Sequence, residues 1–140
     1  MKNHVNTGRL MLTGVLLIVA YIMMEGFVHG YLLKDMYQAT ASVWRSEMDM
    51  QQMMWIMMVG EGIFAFMFAV IYACGFVANK PRLGQGFRFG SLVALFLIPA
   101  MSLSWYVILP IPSILAVYWF VAGVAEMIIL GLIAGVVYKA

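Results

Sequence analysis

The stretch SILAVYWFVAGVAEMIILGLIAGVVY, from Ser113 to Tyr138, decides the fold class of this chain. It is long enough to cross a bilayer as a helix, which takes about 20 predominantly apolar residues, and Glu126 is its single charged residue. A helix satisfies its own backbone hydrogen bonds and is therefore stable where no water is present. The stretch predicts a transmembrane helix that carries one poorly solvated carboxyl.

The rest of the sequence has the same character. Apolar residues make up 65% of the chain, charged residues make up 10%, and the mean hydropathy is +0.98, which lies outside the balance of soluble domains. Three more apolar segments, at about 10–33, 53–78 and 89–109, join 113–138 as predicted spans. We expect an all-α integral membrane four-helix bundle that forms a single transmembrane domain over residues 1–140.

The basic residues predict how the four spans are oriented. They precede span one, lie between spans two and three, and follow span four: Lys2, Arg9, Lys80, Arg82, Arg88 and Lys139. Segments on the cytoplasmic side carry an excess of lysine and arginine. The link between spans one and two mixes both signs of charge, and the turn LPIPS between spans three and four has none. This pattern predicts an N-in, C-in arrangement.

The two links on the opposite side have features of their own. Pro110 and Pro112 end the third span and leave Ser113 as the expected N-cap of the fourth. The segment 34–52 is too polar to span, and its Tyr37 and Trp44 suit a membrane interface. We expect it to be either a short interfacial helix that covers the outer mouth of the bundle or a simple linker.

Four ionisable side chains lie inside the predicted spans: Glu25, His29, Glu61 and Glu126. At a rise of 1.5 Å per residue, Glu25 and Glu61 both lie roughly 12 Å below the outer boundary. His29 is one turn shallower than Glu25 on the same face, and Glu126 is nearer the midplane. A charge near the bilayer centre costs at least ~2.5–3.5 kcal/mol, and no lysine or arginine lies in a span to neutralise these groups. We therefore predict one inward-facing polar cluster, which Glu126 either joins or lies apart from.

The cluster has a functional and a structural interpretation. Carboxylate and imidazole ligands suit divalent metals, so Glu25, His29 and Glu61 are predicted to hold a metal or to handle protons. Met57 and Met58, near the outer mouth of span two, would add thioethers suited to Cu(I), or they serve as apolar packing. In the structural alternative, protonated glutamates are interhelical hydrogen-bonding groups that contribute ~1 kcal/mol each.

Three pairs of glycines have a spacing of four residues within the predicted helices: Gly26 with Gly30, Gly86 with Gly90, and Gly131 with Gly135. Small residues at this spacing form a smooth strip along one side of a helix. Each pair therefore predicts the close approach of a neighbouring helix.

Several short motifs together resemble one group of proteins. The order His29-Gly30, GQGFRFG at 84–90, PIP at 110–112, and then Trp119 and Glu126 in the last span is similar to that of small, uncharacterised bacterial four-span membrane proteins. The likeness extends over most of the chain. It implies a multi-pass protein of the bacterial inner membrane and carries over no catalytic or binding role.

Two function classes follow. The first is a transport or binding protein whose cluster handles protons, a divalent metal or copper. The second is an accessory or assembly subunit, in a homo-oligomer or a larger membrane complex, whose polar residues are helix contacts. An enzyme is disfavoured because no His, Ser and Asp share a level, and a haem held by two histidines is not expected because His4 precedes span one. The composition gives no sign of nucleic-acid binding.

Overall fold

The computed structural model describes residues 5–139, which fold into an all-α four-helix bundle; Lys2 and His4 lie outside this range. The long helices are α1 (Thr7–Phe27), α3 (Glu47–Gly75), α4 (Arg82–Ile108) and α5 (Ser113–Val137). A short helix, α2 (Lys34–Ala39), and a 3-10 turn (Ala41–Val43) connect α1 to α3. The all-α four-helix fold and the short helix between spans one and two are therefore confirmed.

Four helical segments are long and apolar enough to cross a membrane, which fits a multi-pass membrane protein. They are Thr7–Leu32, Glu47–Gly75, Arg82–Ile108 and Ser113–Val137. The second segment begins earlier than its apolar run because Ser46 caps α3, accepting a hydrogen bond from the Asp49 backbone N–H at 3.2 Å. The prediction that Ser113 is an N-cap is wrong. Pro112, with its fixed φ and extended ψ, takes that position and leaves Ser113 in the first helical turn.

The first span ends in a π-helical turn, Val28–Leu32, rather than in a regular α-helical turn. The Leu33 backbone N–H donates to the Val28 carbonyl, five residues back, at 2.9 Å. Such turns widen a helix locally and are frequent at functional sites. His29 lies inside this turn, so its direction is set by an irregularity in the helix.

Helices α4 and α5 form the closest pair in the bundle. A Cβ added to Gly131 would lie 2.8 Å from the backbone nitrogen and the Cα of Gly90, and one added to Gly135 would lie 2.6 Å from the Arg82 carbonyl oxygen. Only glycine fits where two backbones come this near. The predicted close approach is confirmed for the glycine pairs of α4 and α5.

The glycine pair of α1 behaves differently. A Cβ added to Gly26 or Gly30 would meet no atom of another described helix within 4 Å, so the predicted approach of a neighbouring helix is wrong there. A spacing of four residues makes one side of a helix smooth. It does not by itself determine that another helix will occupy that side.

The bundle has two contrasting ends. We call the end that holds Asn6, Tyr138 and the α3–α4 link the terminal half, and the end that holds residues 33–46 and the α4–α5 turn the loop half. The terminal half contains most of the apolar core. Helices α3 and α4 have little close backbone contact. They meet through Phe89, whose ring centroid lies 4.7 Å from that of Phe68 and 5.5 Å from that of Tyr72.

Candidate functional site

A cavity of about 610 Å³ lies in the loop half and is lined by all four long helices. The four ionisable residues predicted from the sequence all line it: Glu25 in α1, His29 in the π-helical turn, Glu61 in α3 and Glu126 in α5. Glu25 and Glu61 are partly buried, and Glu126 is buried. Side chains from three separate parts of the chain are thus brought to one space.

His29 is held between two polar partners. Its Nε2 atom lies 3.2 Å from Oε2 of Glu25, one turn earlier in the chain. Its Nδ1 atom forms a hydrogen bond with the hydroxyl of Tyr37 in α2. The same hydroxyl accepts a hydrogen bond from the Trp119 indole N–H at 2.7 Å. These contacts form a continuous chain from Trp119 through Tyr37 and His29 to Glu25.

Tyr37 brings one proton to this chain of contacts. Burial raises the pKa of Tyr37 to about 12, so its hydroxyl keeps its proton at neutral pH. The hydroxyl accepts from Trp119 and has one proton that it can donate to Nδ1 of His29. In that tautomer the neutral imidazole carries its own proton on Nε2, which faces Oε2 of Glu25.

The segment after α1 positions both Tyr37 and one wall of the cavity. It packs on the α4–α5 turn through an apolar cluster built on Leu33, Ile111 and Leu115. The ring of Trp44 lies 5.4 Å from Tyr37 and 6.1 Å from Trp119 between centroids, and Trp44 itself lines the cavity. The segment therefore contributes to the site and is more than a linker.

Glu126 is the most enclosed carboxyl in the cavity wall. It is 5% exposed, and its Oε1 atom is buried with no hydrogen-bond partner among the described residues. The carboxyls of Glu25 and Glu61 lie within electrostatic range of it. A buried polar atom without a partner costs ~1–3 kcal/mol, which a bound proton, cation or water offsets. This atom lies beneath the wall of the cavity, where the described residues supply no hydrogen-bond donor.

The remainder of the wall is largely apolar and aromatic. Its aromatic members are Tyr21, Trp44, Phe64, Trp105 and Trp119. The lining residues within the described part of the chain include no lysine or arginine. The cavity therefore combines acidic groups with aromatic surface and carries no fixed positive charge.

The predicted metal ligands do not form a metal centre within residues 5–139. No group of three or more His, Cys, Asp or Glu side chains in this range is arranged to hold a metal ion. Met57 and Met58 are 53% and 45% exposed on α3 and are not among the residues that line the cavity. The carboxyls share a cavity, whereas the thioethers of Met57 and Met58 lie outside it.

Sequence reasoning missed the residues that hold His29. Tyr37 and Trp44 were expected only as interface anchors, and Trp119 had no predicted role at the site. The Trp119–Tyr37 hydrogen bond joins α5 to α2, and no local pattern encodes a contact between such distant segments. One signal was available in the sequence. A polar hydrogen-bonding group inside an apolar span needs a partner, because buried polar groups are nearly always hydrogen-bonded.

No family model, curated protein or solved structure matches this chain. The geometry and chemistry of the cavity therefore carry the functional conclusion.

Proposed function

We propose that this chain is a small membrane transport or binding protein whose cavity takes up protons or another cation. One observation carries the proposal. Three carboxyls and an imidazole line a single cavity without a basic side chain among the described lining residues, and the most buried carboxyl has an oxygen without a partner. Acidic and histidine side chains inside spans are typical of proton relays and ion pathways.

The chain of hydrogen bonds supplies a route by which a proton reaches the cavity. The His29 side chain is 38% exposed, and that of Glu25 is 22% exposed. An imidazole accepts a proton at one nitrogen and releases one at the other. We assign His29 the transfer of protons between the loop-half surface and Glu25, with Tyr37 holding the ring in place.

The setting of the protein forms part of the proposal. Arg9, Lys80, Arg82, Arg88 and Lys139 all lie towards the terminal half. An excess of basic residues at one end of a bundle supports a cytoplasmic location for that end. We propose an N-in, C-in protein of the bacterial inner membrane, with the cavity in the outward half.

Proton uptake into liposomes tests this function. The protein is reconstituted with a pH-sensitive dye inside, the external solution is acidified, and the internal pH is followed. Glu25→Gln, Glu61→Gln and His29→Ala should each abolish protein-dependent uptake while the protein stays in the membrane. Glu47→Gln, an exposed carboxyl at the start of α3, is the matched control and should behave as the unaltered protein.

Two further results complete this test. Elemental analysis of the purified protein determines whether the cation is a divalent metal or copper, and a metal lost in Glu25→Gln but kept in Glu47→Gln would assign that cation. Equal behaviour of all variants, with no bound metal in any, would contradict the proposal.

A second candidate function is an accessory subunit of a homo-oligomer or of a larger membrane complex. It is favoured by one observation: every residue of Glu47–Gly60, the first half of α3, is exposed. The exposed surface of this segment is available to a partner helix. Native mass spectrometry from mild detergent would support this role if the mass exceeds the 15.7 kDa of one chain, and a purely monomeric protein would count against a homo-oligomer.

A further inference from the structure

The size of the cavity bears on what it binds. Its volume of about 610 Å³ lies within the roughly 300–1,000 Å³ of small-molecule sites. A metal centre requires ligands only about 2.0–2.6 Å from the ion, and the described residues contain no group of side chains arranged in that way. The space suits a molecule with a body of several carbon atoms.

The aromatic wall indicates the charge of that molecule. Trp44, Trp105 and Trp119, three of the 4 tryptophans in the chain, line the cavity together with Tyr21 and Phe64. A cation over the face of an aromatic ring is attracted by ~0.5–2 kcal/mol, and quaternary ammonium groups are recognised in this way. Anionic ligands would instead meet three carboxyls in the same space.

The position of Glu126 makes the preference specific. Its unpartnered Oε1 lies in a side chain that is 95% buried and lines the cavity. Protein atoms cover Oε1 itself, but a positive charge in the cavity is still attracted by the carboxyl, because electrostatic attraction acts across several ångströms. A neutral ligand of the same shape would leave the oxygen as it is.

The surroundings of the cavity indicate a route of entry. Helices α3 and α4 lack extensive backbone contact, and Gly60 and Gly62, on either side of Glu61, have no atom within 4 Å of an added Cβ. Met101, on the α4 side of the cavity, is 48% exposed. A gap between two apolar helices admits a ligand that partitions into hydrocarbon.

We propose that the ligand of this cavity is an organic ammonium ion with an aromatic or aliphatic body, which enters between α3 and α4. This inference rests on the proposed function, since it names the chemical class of the cation. The carboxyls hold the ammonium group, and the tryptophans enclose the apolar body.

The tryptophans provide a direct assay. Trp55 is 64% exposed and lies outside the cavity, so Trp55→Phe leaves only cavity tryptophans to report. This variant, in dodecyl maltoside micelles, is titrated with benzyltrimethylammonium and, separately, with neopentylbenzene, its uncharged carbon isostere. We expect a saturable change in tryptophan fluorescence with the ammonium and an affinity at least about tenfold weaker for the isostere, a difference of about 1.4 kcal/mol.

Glutamate variants in the same background locate the binding. Glu126→Gln and Glu25→Gln should weaken the ammonium affinity at least about tenfold, whereas Glu47→Gln should leave it unchanged. The comparison of charged and uncharged probes uses no cavity substitution, so the inference stays testable even if a glutamate variant fails to fold. Equal binding of both probes, or no saturable signal with either, would overturn it.

The liposome assay separates the two levels of proposal. If benzyltrimethylammonium does not bind but proton uptake or metal binding depends on Glu25, the ammonium class is wrong and the proposed function stands. If that dependence is absent as well, both proposals fail. Saturable ammonium binding that is lost in Glu126→Gln supports both.

Discussion

The two halves of this bundle use the same kinds of helix for different purposes. In the terminal half, aromatic rings interlock: Tyr138 lies 5.2 Å from Phe76 and 6.1 Å from Tyr72 between ring centroids. The Tyr138 hydroxyl also accepts a hydrogen bond from the Asn6 backbone N–H at 3.2 Å and so ties the two chain ends together. In the loop half, the helices separate around a cavity of about 610 Å³ that is lined by Glu25, His29, Glu61 and Glu126.

This contrast indicates where stability and function reside. A densely packed interior becomes less stable when even a single methylene is added or removed. A cavity wall tolerates changes in volume but depends on the chemical identity of its polar groups. Substitutions in the terminal half should therefore act on folding, and substitutions in the loop half should act on proton or ligand binding.

Gly131→Ala should have the largest effect on stability. The added methyl group would collide with the backbone of Gly86 and Gly90 in α4, and neither can move aside as a side chain can. We expect the free energy of unfolding to fall by about 1–3 kcal/mol. Titration with sodium dodecyl sulfate, followed by circular dichroism, measures this change.

Gly26→Ala is the matched control, because the same methyl group enters open space on α1. It should leave the unfolding transition in place or raise stability by up to about 1 kcal/mol, since alanine is the better helix former. A Gly131→Ala protein as stable as the unaltered one would show that the α4–α5 contact does not limit packing in the terminal half.

Tyr37→Phe should have a smaller effect, confined to the loop half. It removes the hydroxyl that accepts from Trp119 and bonds to His29, and each such bond contributes about 0.5–1.5 kcal/mol. We also expect His29 to become more reactive to diethyl pyrocarbonate, because one nitrogen of its ring is freed. Peptide mass spectrometry measures the modification of His29 separately from that of His4.

Tyr31→Phe serves as the control for the loss of a hydroxyl. Tyr31 is 73% exposed, and its hydroxyl has no hydrogen bond within the described chain. Its loss should change neither stability nor the reactivity of His29. If both variants behave alike, Tyr37 does not hold His29.

Hydropathy alone predicted the four long helices. Each helix must satisfy its own backbone hydrogen bonds and must be long and apolar enough to cross the bilayer. The ends of the helices were less accessible to sequence reasoning. Ser113 looked like a cap, but the preceding proline already had the required backbone geometry. The π-helical turn at His29 had no recognisable signal in the sequence, and Leu33, which ends it, packs against the α4–α5 turn that lies far along the chain.

The ionisable residues of the site were predictable, and the shape of the site was not. Counting residues along each span placed Glu25 and Glu61 at one level, and both line the cavity. The volume of the cavity depends on how far α3 separates from α4, and the helical pattern of either segment contains no information on that distance. Trp105 and Trp119 therefore gave no sign of a ligand site before the helices were placed.

The smallest expected change in stability distinguishes the halves most sharply, because each contains a buried polar atom without a described partner: Glu126 Oε1 in the loop half and the Tyr72 hydroxyl in the terminal half. Glu126→Leu and Tyr72→Phe each replace such a group by an apolar one, so the free energy of unfolding should stay constant or rise by up to about 1 kcal/mol in both.

The two variants should differ in proton uptake into liposomes. Glu126→Leu should abolish it, whereas Tyr72→Phe should retain it, because the hydroxyl lies among the aromatic rings that close the terminal half. Retained uptake in Glu126→Leu would mean that its carboxyl is a structural group like the Tyr72 hydroxyl, and the two halves would then differ in packing but not in purpose.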